Sequence, residues 1–141
     1  MASSAYMYAN TKETFADGAV IDWVNDAIRG QLVSSVYVPD YDTHEFLSSI
    51  TNLVGTAVLV AGKTLVKLGA GATAQYALRS SALSFVGNLT ARGMVLYKDT
   101  GVAATSRVIA YVLLDNTPAD VSSSVGIDVT PDATNGWVRV G

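Results

Sequence analysis

A single histidine, His44, lies in the run Asp40-Tyr41-Asp42-Thr43-His44-Glu45, with Ser48 and Ser49 just beyond it. Hydrolytic triads and zinc sites lean on histidine, so this one copy would have to carry any such chemistry. Its spacing from Asp42, Ser48 and Ser49 is not that of a triad, and a histidine hydrogen-bonded inside a turn is the expected reading. Asp40, Tyr41, Asp42 and Glu45 present oxygens that suit calcium. The twelve-residue loop pattern is missing, however, and turn-forming aspartates explain the run equally well. Asp22 and Asp26 are close enough in sequence to act as an acid–base pair, yet nothing nearby suggests a buried pocket that would split their pKa values. The chain has no cysteine. That excludes disulfides, thiolate nucleophiles and cysteine zinc sites, and it fits assembly in a reducing cytoplasm.

Two glycine motifs invite a nucleotide. Gly62-Lys63-Thr64 ends like a phosphate-binding loop, but that motif needs a glycine five positions before Gly62, and Ala57 stands there. Gly69-Ala70-Gly71-Ala72-Thr73-Ala74 resembles a dinucleotide turn. The acid required about 20 residues on for the ribose is absent, since no carboxylate occurs between Glu45 and Asp99. A glycine-rich hairpin loop is the better reading. Asn88-Leu89-Thr90 fits a glycosylation acceptor, which means little without a secretory signal. Met1-Ala2-Ser3-Ser4 has no basic region and no long apolar core, so no such signal is expected. No catalytic residue, no cofactor and no metal is therefore expected, and the chain reads as a non-enzyme.

The 141 residues are 50% apolar and only 15% charged, against roughly 25% charged residues in an average soluble domain. Mean hydropathy is +0.32. Such a chain is not disordered, and the excess argues for apolar surface covered by another chain. The longest apolar stretch, residues 53–61, is broken by Gly55 and Thr56 and is far short of the roughly 20 residues a spanning helix needs. The net charge of −3 and pI of 4.8 give no footprint for nucleic acid. Charge is nevertheless segregated: residues 1–45 carry a net of −5, residues 46–98 a net of +5 with no acid, and residues 99–141 a net of −3. Either the blocks neighbour one another inside one fold, or complementary faces meet between subunits.

One domain spanning residues 1–141 is expected, with an N-terminal helical segment (1–18) and a β domain (19–141). Residues 4–16 read as a short helix, capped by Ser3 or Ser4 and ended at Asp17-Gly18. Residues 20–23 are a β-prone run, followed by an Asn25-Asp26 turn. Residues 27–37 read as extended, with Ile28, Gly30 and Leu32 on the dry face and Pro39 at the boundary. Residues 42–47 suit a single helical turn with Asp42 as its cap and Glu45 at the third position. Further strands are expected at 63–68, 75–79, 83–86, 93–97, 107–114, 126–130 and 137–140, separated by Gly-, Asn- and Asp-containing turns. Residues 108–114 lack alternation, as a central strand covered on both faces does. The fold class is mainly β, an antiparallel β-sandwich or partly open barrel with one short N-terminal helix. Tyr6, Tyr8, Tyr37 and Tyr41 read as half-buried core or edge residues. Alternatively, with Asp40 and Asp42, they anchor a protein interface, where tyrosine is enriched.

The run from Tyr37 to Asn52, with Pro39, Asp40, Asp42, His44, Glu45, Phe46 and Ile50, resembles a family of small tailed-bacteriophage virion proteins. So do residues 90–101, with Arg92, Gly93, Tyr97, Lys98, Asp99 and Gly101, then Ile109-Ala110-Tyr111, together with Ile21-Asp22-Trp23 and residues 26–33. Order and spacing match over most of the chain. One departure is the apolar run 57–59, where the family has a more polar segment. Some members of the family resemble capsid cement (decoration) proteins. The resemblance implies a structural protein on the capsid exterior, assembled in the bacterial host cytoplasm. It would form a homotrimer and clamp neighbouring major capsid subunits, with no nucleic-acid or membrane partner. The alternatives are a tail or neck component, and a carbohydrate-binding sandwich, which would need Trp23 or Trp137 exposed in a groove.

Overall fold

Turn residues cut the chain into short strands, and a computed structural model shows how they pair. It describes residues 4–9, 11, 21–115 and 119–140. The strands are β1 (Ser4–Met7), β2 (Ile28–Val33), β3 (Leu53–Leu59), β4 (Thr64–Leu68), β5 (Gln75–Arg79) and β6 (Leu83–Val86). They continue with β7 (Leu89–Ala91), β8 (Gly93–Lys98), β9 (Val108–Leu113), β10 (Val121–Ser123), β11 (Gly126–Val129) and β12 (Arg139–Val140). All pairings are antiparallel. A five-stranded sheet runs β1-β9-β8-β2-β3, and the pairs β10-β7 and β11-β6 and the triplet β12-β5-β4 supply the facing layer. The molecule is thus mainly β and sandwich-like, and it is not a closed barrel.

The central strands explain the apolar composition. Along β8, Met94 and Leu96 point into one core while Val95 and Tyr97 point into another. In β9, Val112 faces the first core and Val108 and Tyr111 the second. Both strands are therefore covered on both faces, as the unbroken apolar run 108–114 predicts. Between Leu96 and Tyr97 the register slips, leaving one extra residue, Ile109, on β9. The first core is closed by Leu78, Leu83, Phe85, Ile127, Val129 and Trp137 from the facing layer. Gly30 is the close-approach point between the layers: a Cβ there would stand 2.6 Å from Leu83 Cδ2 and 2.7 Å from Met94 Sδ. The second core is closed by Tyr8, Tyr37 and Ile50, with Tyr41 and Leu47 packed against it.

Three local expectations need correction. Residues 4–7 form strand β1, not the start of a helix, so Ser4 opens a strand rather than capping one. β1 pairs with β9, with Tyr6 opposite Tyr111, and the Tyr8 N–H continues the ladder to the Ile109 carbonyl at 3.2 Å. Helix propensity is a weak prior, and covering an otherwise open edge of β9 outweighs it. Ala9 and Thr11 are helical; Ser3, residues 12–16 and Asp17-Gly18 lie outside the described residues. Ile21-Asp22-Trp23 is not a strand but runs into a turn, with Ile21 and Trp23 buried; Val20 lies outside the described residues. Residues 42–47 do not form a helical turn capped by Asp42. A 3-10 turn sits at Leu47–Ser49 without a side-chain cap, and Asp40 holds the preceding turn. Residues 53–61, where the chain departs from the family pattern, contribute β3. That strand carries two extra residues between Val54 and Val58 relative to β2. Gly55 takes the left-handed φ of 67° this requires, and the buried Gln31 amide donates to the Val54 carbonyl at 2.9 Å and the Gly55 carbonyl at 3.2 Å.

Candidate functional site

The residues singled out for chemistry meet mostly in one place, the segment 37–50 that lies over the second core. It is seated on the start of β9: the Leu47 N–H donates to the Ser106 carbonyl at 2.8 Å and the Val108 N–H to the Glu45 carbonyl at 3.0 Å. Arg107 pairs with Glu45 at 2.7 Å and lies over the Phe46 ring at 5.0 Å. On its other side the Ala9 N–H donates to the Tyr41 carbonyl at 2.8 Å.

His44 is the polar centre of this segment. The Asp40 backbone N–H donates to its Nδ1 at 3.1 Å. A backbone N–H can only donate, so Nδ1 is the acceptor and the neutral ring carries its proton on Nε2. The Tyr37 hydroxyl, 2.9 Å from Nδ1, must then donate to it as well. This leaves the Tyr37 oxygen to accept from the Tyr8 hydroxyl at 2.6 Å. Burial pushes the Tyr37 hydroxyl up to about 12. Burial, then the bond to Tyr37, raises Tyr8 well above its ordinary value. These are neutral, satisfied groups tying the chain after β1 to the 37–50 segment, not an activated nucleophile and base. Ser48 and Ser49 lie on the 3-10 turn, away from this relay.

The other candidates are likewise occupied with structure. Asp40 Oδ1 accepts from the N–H groups of Asp42 and Thr43, each at 3.1 Å. Hydrogen bonds from Thr43 and the Asp42 N–H hold the Asp40 carboxyl below its usual range. With Glu45 bound to Arg107, the run offers no open ligand set, and the described residues contain no group of three or more His, Asp or Glu placed to hold a metal. Asp26 Oδ2 accepts from the Asp22 N–H at 2.7 Å and pairs with Lys98 at 3.0 Å. Asn25 donates to Asp22, which lowers that carboxyl. The pair therefore builds a turn. Lys63 donates to the Asp26 carbonyl, so Gly62-Lys63-Thr64 is a β3–β4 connection and not a phosphate cradle. Gly69 to Ala74 is the β4–β5 hairpin loop, with a 3-10 turn at Gly71–Thr73. In the Asn88-Leu89-Thr90 sequence, Thr90 meets Ser122 across β7 and β10 at 2.9 Å.

The six residues expected at an interface divide. Tyr8 (0% exposed) and Tyr37 (3%) are internal, so neither can touch a partner of the folded chain; this corrects their place in that set. Tyr6 (50% exposed), Asp40 and Asp42 are on the surface, and Tyr41 is half-buried. Tyr6 and Tyr41 rings lie 5.8 Å apart, so these four share one patch. Val36 and Val38 are exposed too and were missed. The extended reading of residues 27–37 hid them: β2 ends at Val33, and Val36 sits in a turn in which the Val36 N–H donates to the Ser34 hydroxyl at 3.2 Å and the Tyr37 N–H to the Ser34 carbonyl at 3.3 Å. Trp23 and Trp137 are 1% and 3% exposed. Their indoles donate to the Arg79 carbonyl at 3.2 Å and the Ser80 hydroxyl at 2.7 Å, so the tryptophan platform that a sugar-binding reading needs does not exist. Charge segregation is partly resolved inside the subunit, where Lys98 and Arg92 of the basic block pair with Asp26 and Asp120. No family model, curated protein or solved structure matches the chain.

Proposed function

We propose that this chain is a non-enzymatic structural protein of a tailed-bacteriophage virion, a capsid cement protein that trimerises and clamps neighbouring major capsid subunits on the outside of the head. The observation that carries the reading is where the family-like runs fall. Residues 26–33, 90–101 and 109–111 build β2, β8 and β9 of the central sheet, and residues 37–52 build the segment over its second core. With Ile21 and Trp23 of the remaining run in the first core, the resemblance follows the central sheet and what packs on its two faces. The way His44, Asp22, Asp26, Asp40 and Glu45 are all engaged in turns and ion pairs suits a protein that works by binding alone. A ligand that binds only the assembled shell stabilises it by mass action, and that requires exposed apolar and charged surface rather than a reactive cluster. Tyr6, Val38, Tyr41 and Asp42 supply such a surface.

The test adds the purified protein to heads that lack it and follows binding and heat-induced loss of DNA. Saturable binding that raises the temperature of DNA release supports the reading. Absence from heads together with recovery in the tail fraction would replace it with the tail or neck alternative.

A further inference from the structure

Two surface patches on opposite sides of the central sheet are matched in chemistry. One holds Tyr6, Tyr41 and Asp42, beside the second core. The other lies on the facing layer, where β4 and β5 put Lys67 directly opposite Tyr76 and Leu65 two residues along the same face. Leu65 is 47% and Tyr76 46% exposed, and Lys67 and Asp42 are both exposed. Neither Lys67 nor Asp42 has an ion pair among the described residues, although Arg29, Arg92, Lys98 and Arg107 have all found carboxylates within the subunit. The internal pairing thus leaves Asp42, with Asp40 beside it, on the tyrosine patch and Lys67 on the apolar patch.

We propose that these patches bind each other head to tail between copies of this chain, Asp42 of one copy meeting Lys67 of the next, with Tyr6 and Tyr41 packing on Leu65 and Tyr76. The inference rests on the homotrimer reading above and gives it a surface. Two different patches that fit each other make a heterologous contact, which builds a ring where the rotation between copies closes, as a trimer requires, and not a two-fold dimer. Tyrosine and an aliphatic side chain supply the buried area; the ion pair fixes register and excludes the reversed arrangement.

The experiment is a charge exchange read by sedimentation of the protein alone, with circular dichroism as the fold control. Asp42→Lys and Lys67→Glu are each expected to weaken association at least about tenfold, because each replaces an attractive pair at the contact with two like charges. The double variant is expected to recover to within about threefold of the parent, less than 1 kcal/mol away. Leu65→Ser, which leaves the charges alone, is expected to weaken association too. A monomeric parent, single variants that associate normally, or a double variant no better than the singles would overturn the contact. Binding to heads is scored separately. An oligomer that follows this pattern yet ignores heads upholds the contact and overturns the cement reading, and a monomer that decorates heads does the reverse.

Discussion

On one face of the five-stranded sheet, Met94, Leu96 and Val112 meet Leu78, Leu83 and Phe85; on the other, Val95, Tyr97 and Tyr111 meet Tyr8, Tyr37 and Ile50. The first core is mainly aliphatic, and its cohesion is area and packing. The second is lined by tyrosines whose rings tilt against one another, with Tyr37 and Tyr111 centroids 5.9 Å apart. Two of its hydroxyls, those of Tyr8 and Tyr37, are bonded in series to His44. A dry core tolerates similar shapes, whereas a polar relay requires each donor to find its acceptor. The aliphatic side therefore carries stability, and the tyrosine side fixes where the 37–50 segment sits.

Damage to the dry core should cost most. Leu96→Ala removes a fully buried side chain on the central strand β8, and a loss of about 3 kcal/mol is expected in denaturant unfolding. A loss under about 1 kcal/mol would mean the layers collapse around the gap and the two faces differ less than described. Next comes Tyr37→Phe, which leaves the buried Tyr8 hydroxyl without its acceptor at a cost of about 2 kcal/mol. Tyr8→Phe should cost about half that, since Tyr37 still donates to His44. Equal losses would show that the hydroxyls act independently.

Alkaline titration separates the faces without mutation. The folded state holds Tyr37 and Tyr41 up to about 12, while unfolded tyrosine ionises near 10. The raised value makes their contribution fully present below about pH 10 and lost as the pH rises through about 12. For the buried Tyr37 the loss is on the order of 1 kcal/mol by about pH 11. Unfolding free energy and tyrosinate absorbance measured together should show stability level to about pH 10 and falling beyond it. A decline beginning near neutrality would point to a different group. Smallest is Glu45→Gln at the rim of the segment. Its pair with Arg107 is part-exposed, so a change of less than about 1 kcal/mol is expected, shrinking in high salt.

Part of the facing layer was legible because turn chemistry brackets it: β5 and β6 lie beside Gly69 to Ala74 and Gly87-Asn88. β7 and β10 were not, since each is only three residues long and is defined by pairing with the other across the chain. β9 was legible from its unbroken apolar run. β1 was not, since Ala5 and Met7 are good helix formers and its strand character comes from β9, about 105 residues away along the chain. β3 was hidden by its bulge, which breaks the period of two around Gly55. At the candidate site, the turn role of His44 was readable from its neighbours. The inward placement of Tyr8 and Tyr37 was not, because their bond joins residues 29 apart and local pattern carries no such information. Asp40 rather than Asp42 holds the turn because its carboxylate precedes the N–H groups it accepts, the ordinary Asx-turn geometry.

The reading of the chain as a head-surface protein is tested most directly by locating it in a density map of the virion that carries it. The account predicts density for this fold on the outside of the head, in groups of three at the joints between capsid subunits, with the Tyr6–Tyr41 patch at a subunit contact. Density confined to the tail or neck, or isolated single copies with that patch in solvent, would contradict it.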